Sequence, residues 1–96
     1  MKEHFLSAGK NYQTHVDYLK FALQFADVDI AGLVSSFNCE VRNNGWVGMR
    51  AYHDRALIDE FIRRSIDISC ISDGKSINFN HYVRYVANRN KLVTTD

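Results

Sequence analysis

The sequence predicts a small α+β domain in which two antiparallel β-hairpins, most simply joined in one sheet, carry helices on one face. Two segments place apolar residues at helical spacing. Two turn signals, Asn43-Asn44-Gly45 and Asp73-Gly74, each separate segments in which apolar and polar residues alternate. The predicted order is α-ββ-α-ββ, followed by a short helix or an extension of the last strand.

The composition is that of a folded protein. Hydrophobic residues make up 46% of the 96-residue chain and charged residues 24%, which predicts a packed core. We expect one domain over 1–96, with 1–10 as a loose lead-in, and no signal peptide or membrane span. Two cysteines without metal-ligand spacing favour reduced thiols and a cytoplasmic location.

Charge is unevenly distributed along the chain. The net charge is only +1, which argues against a protein that coats nucleic acid. All seven arginines follow residue 41, so residues 42–91 carry a net +4 and residues 1–41 a net −2. This pattern indicates a mildly basic surface, although solvated faces and local ion pairs are the commoner explanation for arginines.

The first helix is predicted to run from an Asn11 cap to about Asp27. Its apolar residues form two arcs on a helical wheel. The first arc is a narrow stripe: Tyr12, Val16, Leu19, Leu23 and Ala26. The second arc lies on another side: Tyr18, Phe21, Ala22 and Phe25. One small sheet can hardly cover both arcs, so Tyr18, Phe21 and Phe25 are candidates for self-association, with an internal sandwich as the equal alternative.

Residues 36–52 predict the first hairpin, because their alternation has the two-residue period of a half-buried strand. A three-residue loop at Asn43-Asn44-Gly45 places Cys39 opposite Met49 on one apolar face. Residues 30–34 stay undecided between a helical turn and a strand.

The other face of this hairpin is the candidate partner-binding surface. It collects residue types that are enriched at binding hot spots: Arg42, Trp46, Arg50 and Tyr52. The alternative is that another element covers Trp46, because large aromatic side chains are usually buried in good part.

The second helix is predicted over Arg55–Asp67, capped by Asp54. Its ion pairs at i,i+4 spacing are Asp59–Arg63 and Glu60–Arg64. It carries one wide apolar stripe: Leu57, Ile58, Phe61, Ile62 and Ile66.

The second hairpin is predicted at Asp73-Gly74, which pairs Cys70 with Ile77 and Ile68 with Phe79. Residues 80–91 fit a short helix or a continued strand, and their β-branched and aromatic content slightly favours the strand.

No motif nominates an active site, a metal or a cofactor. The histidines His4, His15, His53 and His81 lack the spacing of metal ligands, and the five glycines form no phosphate-binding loop. We therefore expect a protein that is not an enzyme.

The segment Ile30–Val41, "IAGLVSSFNCEV", resembles the signature helix and first strand of the LAGLIDADG homing endonucleases, and the resemblance extends to Leu92. Those enzymes place a metal-binding acid at the end of the signature helix. The corresponding positions here are Val34-Ser35-Ser36, so no acid is carried over and nuclease activity is not implied.

The leading functional prediction is a small binding or regulatory protein, of the inhibitor, immunity or adaptor type, that contacts a protein partner and forms a homodimer if the second arc is uncovered. The alternative is a nucleic-acid binder that uses arginines and stacked aromatic residues on a sheet face.

Overall fold

The computed structural model describes residues 15–41, 49–72 and 77–95. These residues form three helices followed by a two-stranded antiparallel sheet: α1 (Val16–Ala26), α2 (Ile30–Glu40), α3 (Met49–Arg63), β1 (Val83–Val86) and β2 (Lys91–Thr94). The predicted α+β class is confirmed, but the predicted α-ββ-α-ββ order is wrong for these residues. No helix in the described ranges is long and apolar enough to cross a membrane.

The first strand of the first predicted hairpin is helical instead. The helix α2 begins after Asp29, whose carboxylate accepts a hydrogen bond from the Gly32 amide at 2.8 Å. It buries Leu33 and Phe37, which are four residues apart, as expected for one helical face. The alternation over residues 36–41 is too short to distinguish a strand from this helical spacing, so the strand prediction was wrong.

The second predicted strand of that hairpin does not form in its described residues, 49–52, either. Met49 and Tyr52 belong to α3, while Cys39 is exposed on α2, so the predicted strand pair of Cys39 with Met49 does not form. The predicted turn, Asn43-Asn44-Gly45, lies outside the described residues.

The helix α3 begins and ends earlier than predicted. Asp54, the predicted cap, lies inside the helix and is buried. The helix ends at Arg63, and Ser65, two residues later, has a positive φ of 61°. Two hydrogen bonds close this end, from Ser65 N to the Ile62 carbonyl and from Ile66 N to the Phe61 carbonyl.

The C-terminal residues form the sheet. Val83 pairs with Thr94 and Val86 with Lys91, and a short 3-10 turn joins the strands, so strand is the correct alternative for residues 83–86.

Before the sheet, the chain reverses through an antiparallel bridge between Ser72 and Ile77. The predicted pairing of Cys70 with Ile77 is therefore wrong, and residues 73–76 lie outside the described residues.

The core lies where α3 meets α1, α2 and the sheet. Its fully buried side chains come from α2, α3 and β2: Leu33, Phe37, Leu57, Ile58, Phe61 and Leu92. The side chain of Asn38 fixes α2 to β1, because its amide donates to the Val83 carbonyl at 3.0 Å and its oxygen accepts from the Val83 amide at 2.9 Å.

Candidate protein-contact site on α1

The inner arc of α1, made of Tyr18, Phe21, Ala22 and Phe25, packs against α3. Tyr18 and Phe25 are buried, and Phe21 is partly buried against the core. The rings of Phe21 and Phe25 meet the ring of His53 edge to face, at centroid distances of 5.0 and 5.2 Å. The three candidate self-association residues therefore pack against α3 within the chain, whereas an internal sandwich would have covered both arcs of the helix.

Polar contacts hold this arc in place. The Tyr18 hydroxyl donates to the Asp59 carboxylate at 2.6 Å, and Arg55 donates to the same carboxylate from Nε at 3.0 Å. Asp59 therefore pairs with Arg55, one turn earlier on α3, and the predicted Asp59–Arg63 pair is wrong. A tyrosine on the inner arc is stabilised because its hydroxyl finds a charged acceptor on α3.

The C-terminal end of α1 is anchored by Arg64. Its Nη2 donates to the carbonyl of Phe25 in the last turn of α1 at 3.1 Å and to the carbonyl of Val28, between α1 and α2, at 2.6 Å. Glu60 accepts from Arg64 Nε at 2.6 Å, so the predicted Glu60–Arg64 pair is confirmed.

Glu60 also accepts two hydrogen bonds from Arg63, one of them at 2.9 Å. The hydrogen bond from Arg63 is the main reason why the pKa of Glu60 lies below its usual value of 4.5. Burial raises this pKa, and the hydrogen bond from Arg64 lowers it further. The carboxylate therefore stays charged and keeps both arginines in position.

The outer arc of α1, made of Val16, Leu19, Leu23 and Ala26, is exposed. Val16 is 63% exposed, Leu19 45% and Leu23 74%, and Ala26 is also exposed. These four residues are the described part of the first apolar arc of the sequence; Tyr12 lies outside the described residues. The arc that is open to a partner is therefore the first arc, whereas the sequence analysis had chosen residues of the second arc for self-association.

A groove of about 220 Å³ runs beside the outer arc, between α1 and α3. Its α1 wall is apolar, and its α3 wall is largely charged. The lining residues are Tyr18, Leu19, Ala22, Leu23 and Ala26 from α1, and Ala56, Asp59, Glu60 and Arg63 from α3. The Arg63 side chain is 63% exposed, so it can still contact an acidic group of a partner.

The four predicted hot-spot residues do not form a described sheet face. Arg42 and Trp46 lie outside the described residues, and Arg50 and Tyr52 lie on α3. The Tyr52 ring stacks on the His15 ring at 4.1 Å with an interplanar angle of 18°. Tyr52 therefore packs against the start of α1.

A second cluster, made of Glu40, His53 and Asp54, joins α2 to α3. The His53 Nδ1 lies 3.1 Å from an Asp54 oxygen and 3.5 Å from a Glu40 oxygen, and both carboxylates are buried. One imidazole and two carboxylates are ligands that divalent transition metals accept. All three residues also take part in further interactions. Sequence reasoning missed this cluster, because Glu40 lies far from the adjacent His53 and Asp54.

Comparisons with protein-family models, with curated proteins and with solved structures found no match. The geometry of the described residues is therefore the basis for a function. Among them, the outer arc places three exposed large apolar side chains beside a groove.

Proposed function

We propose that this chain is a small non-enzymatic binding protein that docks on another protein chain through the outer arc of α1 and the adjoining groove. The observation that carries the proposal is a contrast within one helix. Leu23 is 74% exposed and Phe25, two residues later, is 3% exposed. Within the part of the chain that the structure describes, only one of the two apolar arcs of α1 is therefore packed against other elements.

The energetics of the outer arc support a contact surface. Fully burying a fully exposed leucine contributes about 1.5–3 kcal/mol, so covering the partly exposed Val16, Leu19 and Leu23 would contribute a smaller favourable amount for each side chain. Single exposed apolar residues are ordinary, but Val16, Leu19 and Leu23 share one stripe beside a groove. A helix face next to a groove is a recurring site for an amphipathic helix of a partner.

The nucleic-acid alternative gains no support from α3. Arg55 pairs with Asp59, and Arg63 and Arg64 share Glu60, so two carboxylates offset two of these three positive charges. The sheet face on which that alternative depended is helical in its described parts. We therefore favour contact with a protein through α1 over nucleic-acid binding.

Matched variants on one helix test the proposal. Wild type, Leu23→Asp and Gln24→Asp are immobilised and exposed to an extract of the native source, and each bound species is quantified by mass spectrometry. Gln24 is exposed on the polar side of α1, so Gln24→Asp adds the same charge next to the arc without touching it.

We expect the same partner to bind wild type and Gln24→Asp. Its captured amount should fall at least tenfold with Leu23→Asp, which corresponds to a loss of about 1.4 kcal/mol in binding free energy. Equal capture by all three proteins, or capture of no protein at all, would contradict a docking role for this arc.

A further inference from the structure

We propose that Glu40, His53 and Asp54 bind one divalent transition-metal ion, with Zn²⁺ as the ion that fits best, and that this ion links α2 to α3. The proposal is independent of the docking surface on α1. Each of the three side chains offers one ligand atom, and these atoms all lie within 4.8 Å of one another. Glu40 is the last residue of α2, whereas His53 and Asp54 belong to α3, so a shared ion would join the two helices.

The distances within the cluster are close to those of a tetrahedral site. Nitrogen and oxygen ligands that lie about 2.0–2.2 Å from Zn²⁺ in tetrahedral geometry are about 3.3–3.6 Å from each other. The His53 Nδ1 lies 3.5 Å from a Glu40 oxygen and 3.1 Å from an Asp54 oxygen. An ion among the three atoms would therefore require only small rotations of the side chains.

The charge at this place favours a cation. Glu40 is 6% exposed and Asp54 4%, and a divalent ion offsets the negative charges of two buried carboxylates. Glu40 also lies at the C-terminal end of α2, where the helix dipole adds partial negative charge. The last turn of α2 contains no basic residue, so a bound ion would supply the positive charge that stabilises this end of the helix.

The imidazole is oriented by α1 before any ion binds. The rings of Phe21 and Phe25 meet the His53 ring edge to face, which fixes the plane of the imidazole. A ligand that is already oriented loses less conformational freedom on binding. The side chain of His53 is still 21% exposed, so an ion can enter from solvent.

The donor types select a transition metal. Mg²⁺ and Ca²⁺ prefer oxygen ligands, whereas imidazole nitrogen suits Zn²⁺. Three protein ligands leave the fourth position of a tetrahedral ion to water. Because the ligands come from two helices that only folding brings together, the ion would bind the folded chain in preference to the unfolded one and stabilise it.

Titration calorimetry with zinc chloride tests the site in the full chain after a chelator has removed bound metal. Cys39 and Cys70 are exposed and thiolates also bind Zn²⁺, so the parent protein carries serine at both positions. We expect one Zn²⁺ per chain. The thermal midpoint should rise by roughly 10 °C or more when free Zn²⁺ exceeds its dissociation constant 100-fold. Mg²⁺ at the same concentration should leave the midpoint unchanged.

Single substitutions in the parent distinguish this site from binding at an exposed histidine. Glu40→Gln and Asp54→Asn keep the shape of each side chain and remove its charge, and His53→Gln removes the nitrogen donor. His81→Gln is the control, because His81 is exposed and lies outside the cluster. We expect each of the first three substitutions to weaken Zn²⁺ binding at least tenfold and the control to bind as the parent does.

Co²⁺ gives a readout that needs no substitution in the cluster. Tetrahedral Co²⁺ absorbs visible light far more strongly than hydrated, octahedral Co²⁺, so the parent should develop this absorption with Co²⁺ and lose it when Zn²⁺ is added. A parent that binds no Zn²⁺, or whose Co²⁺ complex absorbs as weakly as hydrated Co²⁺, would overturn the proposal. Equal affinities in all variants, or a loss of binding only with His81→Gln, would overturn it as well.

Discussion

The two arcs of α1 are similar in composition but opposite in use. The inner arc packs on α3, while the outer arc remains exposed, although each contains large apolar side chains. The difference lies in polar contacts. Asp59 accepts the hydroxyl of Tyr18, and Arg64 binds the carbonyls at the end of α1. Hydrophobicity therefore makes both arcs capable of burial, and specific polar partners on α3 select the one that turns inward.

The largest loss of stability should come from a substitution in the inner arc. Phe25→Ala removes a side chain that is 3% exposed and leaves a cavity beside His53, so we expect a loss of about 3–5 kcal/mol in the free energy of unfolding. Urea unfolding followed by circular dichroism measures it. A loss below 1 kcal/mol would mean that the inner arc does not hold α1 on the core.

The next effect concerns the anchor of α1. Glu60→Gln weakens the hydrogen bonds that hold Arg63 and Arg64, and we expect a loss of about 2 kcal/mol at neutral pH. Because the pKa of Glu60 is lowered in the folded state, this stability is present above its usual value of 4.5 and is lost as pH falls through the folded value. The difference between wild type and Glu60→Gln should therefore shrink below about pH 4.5 in urea titrations at several pH values. A difference that is constant with pH would show that the charge of Glu60 is not what matters.

A smaller loss of stability is expected when the hydroxyl of Tyr18, on the inner arc, is removed. Tyr18→Phe keeps the ring and removes one hydrogen bond to Asp59, which Arg55 still neutralises. The expected loss in unfolding free energy is about 1–1.5 kcal/mol. If Tyr18→Phe were neutral while Phe25→Ala is not, packing alone would select the inner arc.

The outer arc should show the smallest effect on folding. Leu23→Gln replaces a side chain that is 74% exposed and keeps a good helix former, so the unfolding free energy should change by less than about 0.5 kcal/mol. A loss of several kcal/mol would mean that Leu23 is covered within its own chain.

The comparison also shows how far the sequence could predict the fold. The C-terminal end of the first helix and its two arcs followed from periodicity, but the helix begins at Val16 after a His15 cap, so the predicted Asn11 cap is wrong. The α3 residues Leu57, Ile58 and Phe61 are buried as their stripe predicted. Which arc of α1 faces inward could not be predicted, because that depends on the position of Asp59 and Arg64 after folding. Ile62, which was predicted to lie in the buried stripe of this helix, is 51% exposed.

The first hairpin shows a second limit. Phe37 fits both a two-residue period with Cys39 and a four-residue spacing with Leu33, and the structure uses the second. Short alternations do not decide between strand and helix, so the predicted sheet face and its hot-spot role depended on the wrong period. The cluster of Glu40, His53 and Asp54 could not be predicted either, because only the packing of α2 on α3 brings Glu40 to His53.

The inner arc of α1 serves folding and the outer arc is proposed to serve protein contact, and two double variants of α1 separate these roles. Wild type is compared with Leu19→Asp/Leu23→Asp and with the control Lys20→Asp/Gln24→Asp, whose two sites are exposed polar positions of the same helix. The stability of each protein is measured by urea unfolding, and the folded protein is used to capture the partner from an extract of the native source. We expect all three proteins to fold, and only the leucine variant to lose the partner, at least tenfold. Equal capture by the three proteins, or a leucine variant that does not fold, would contradict this division of roles.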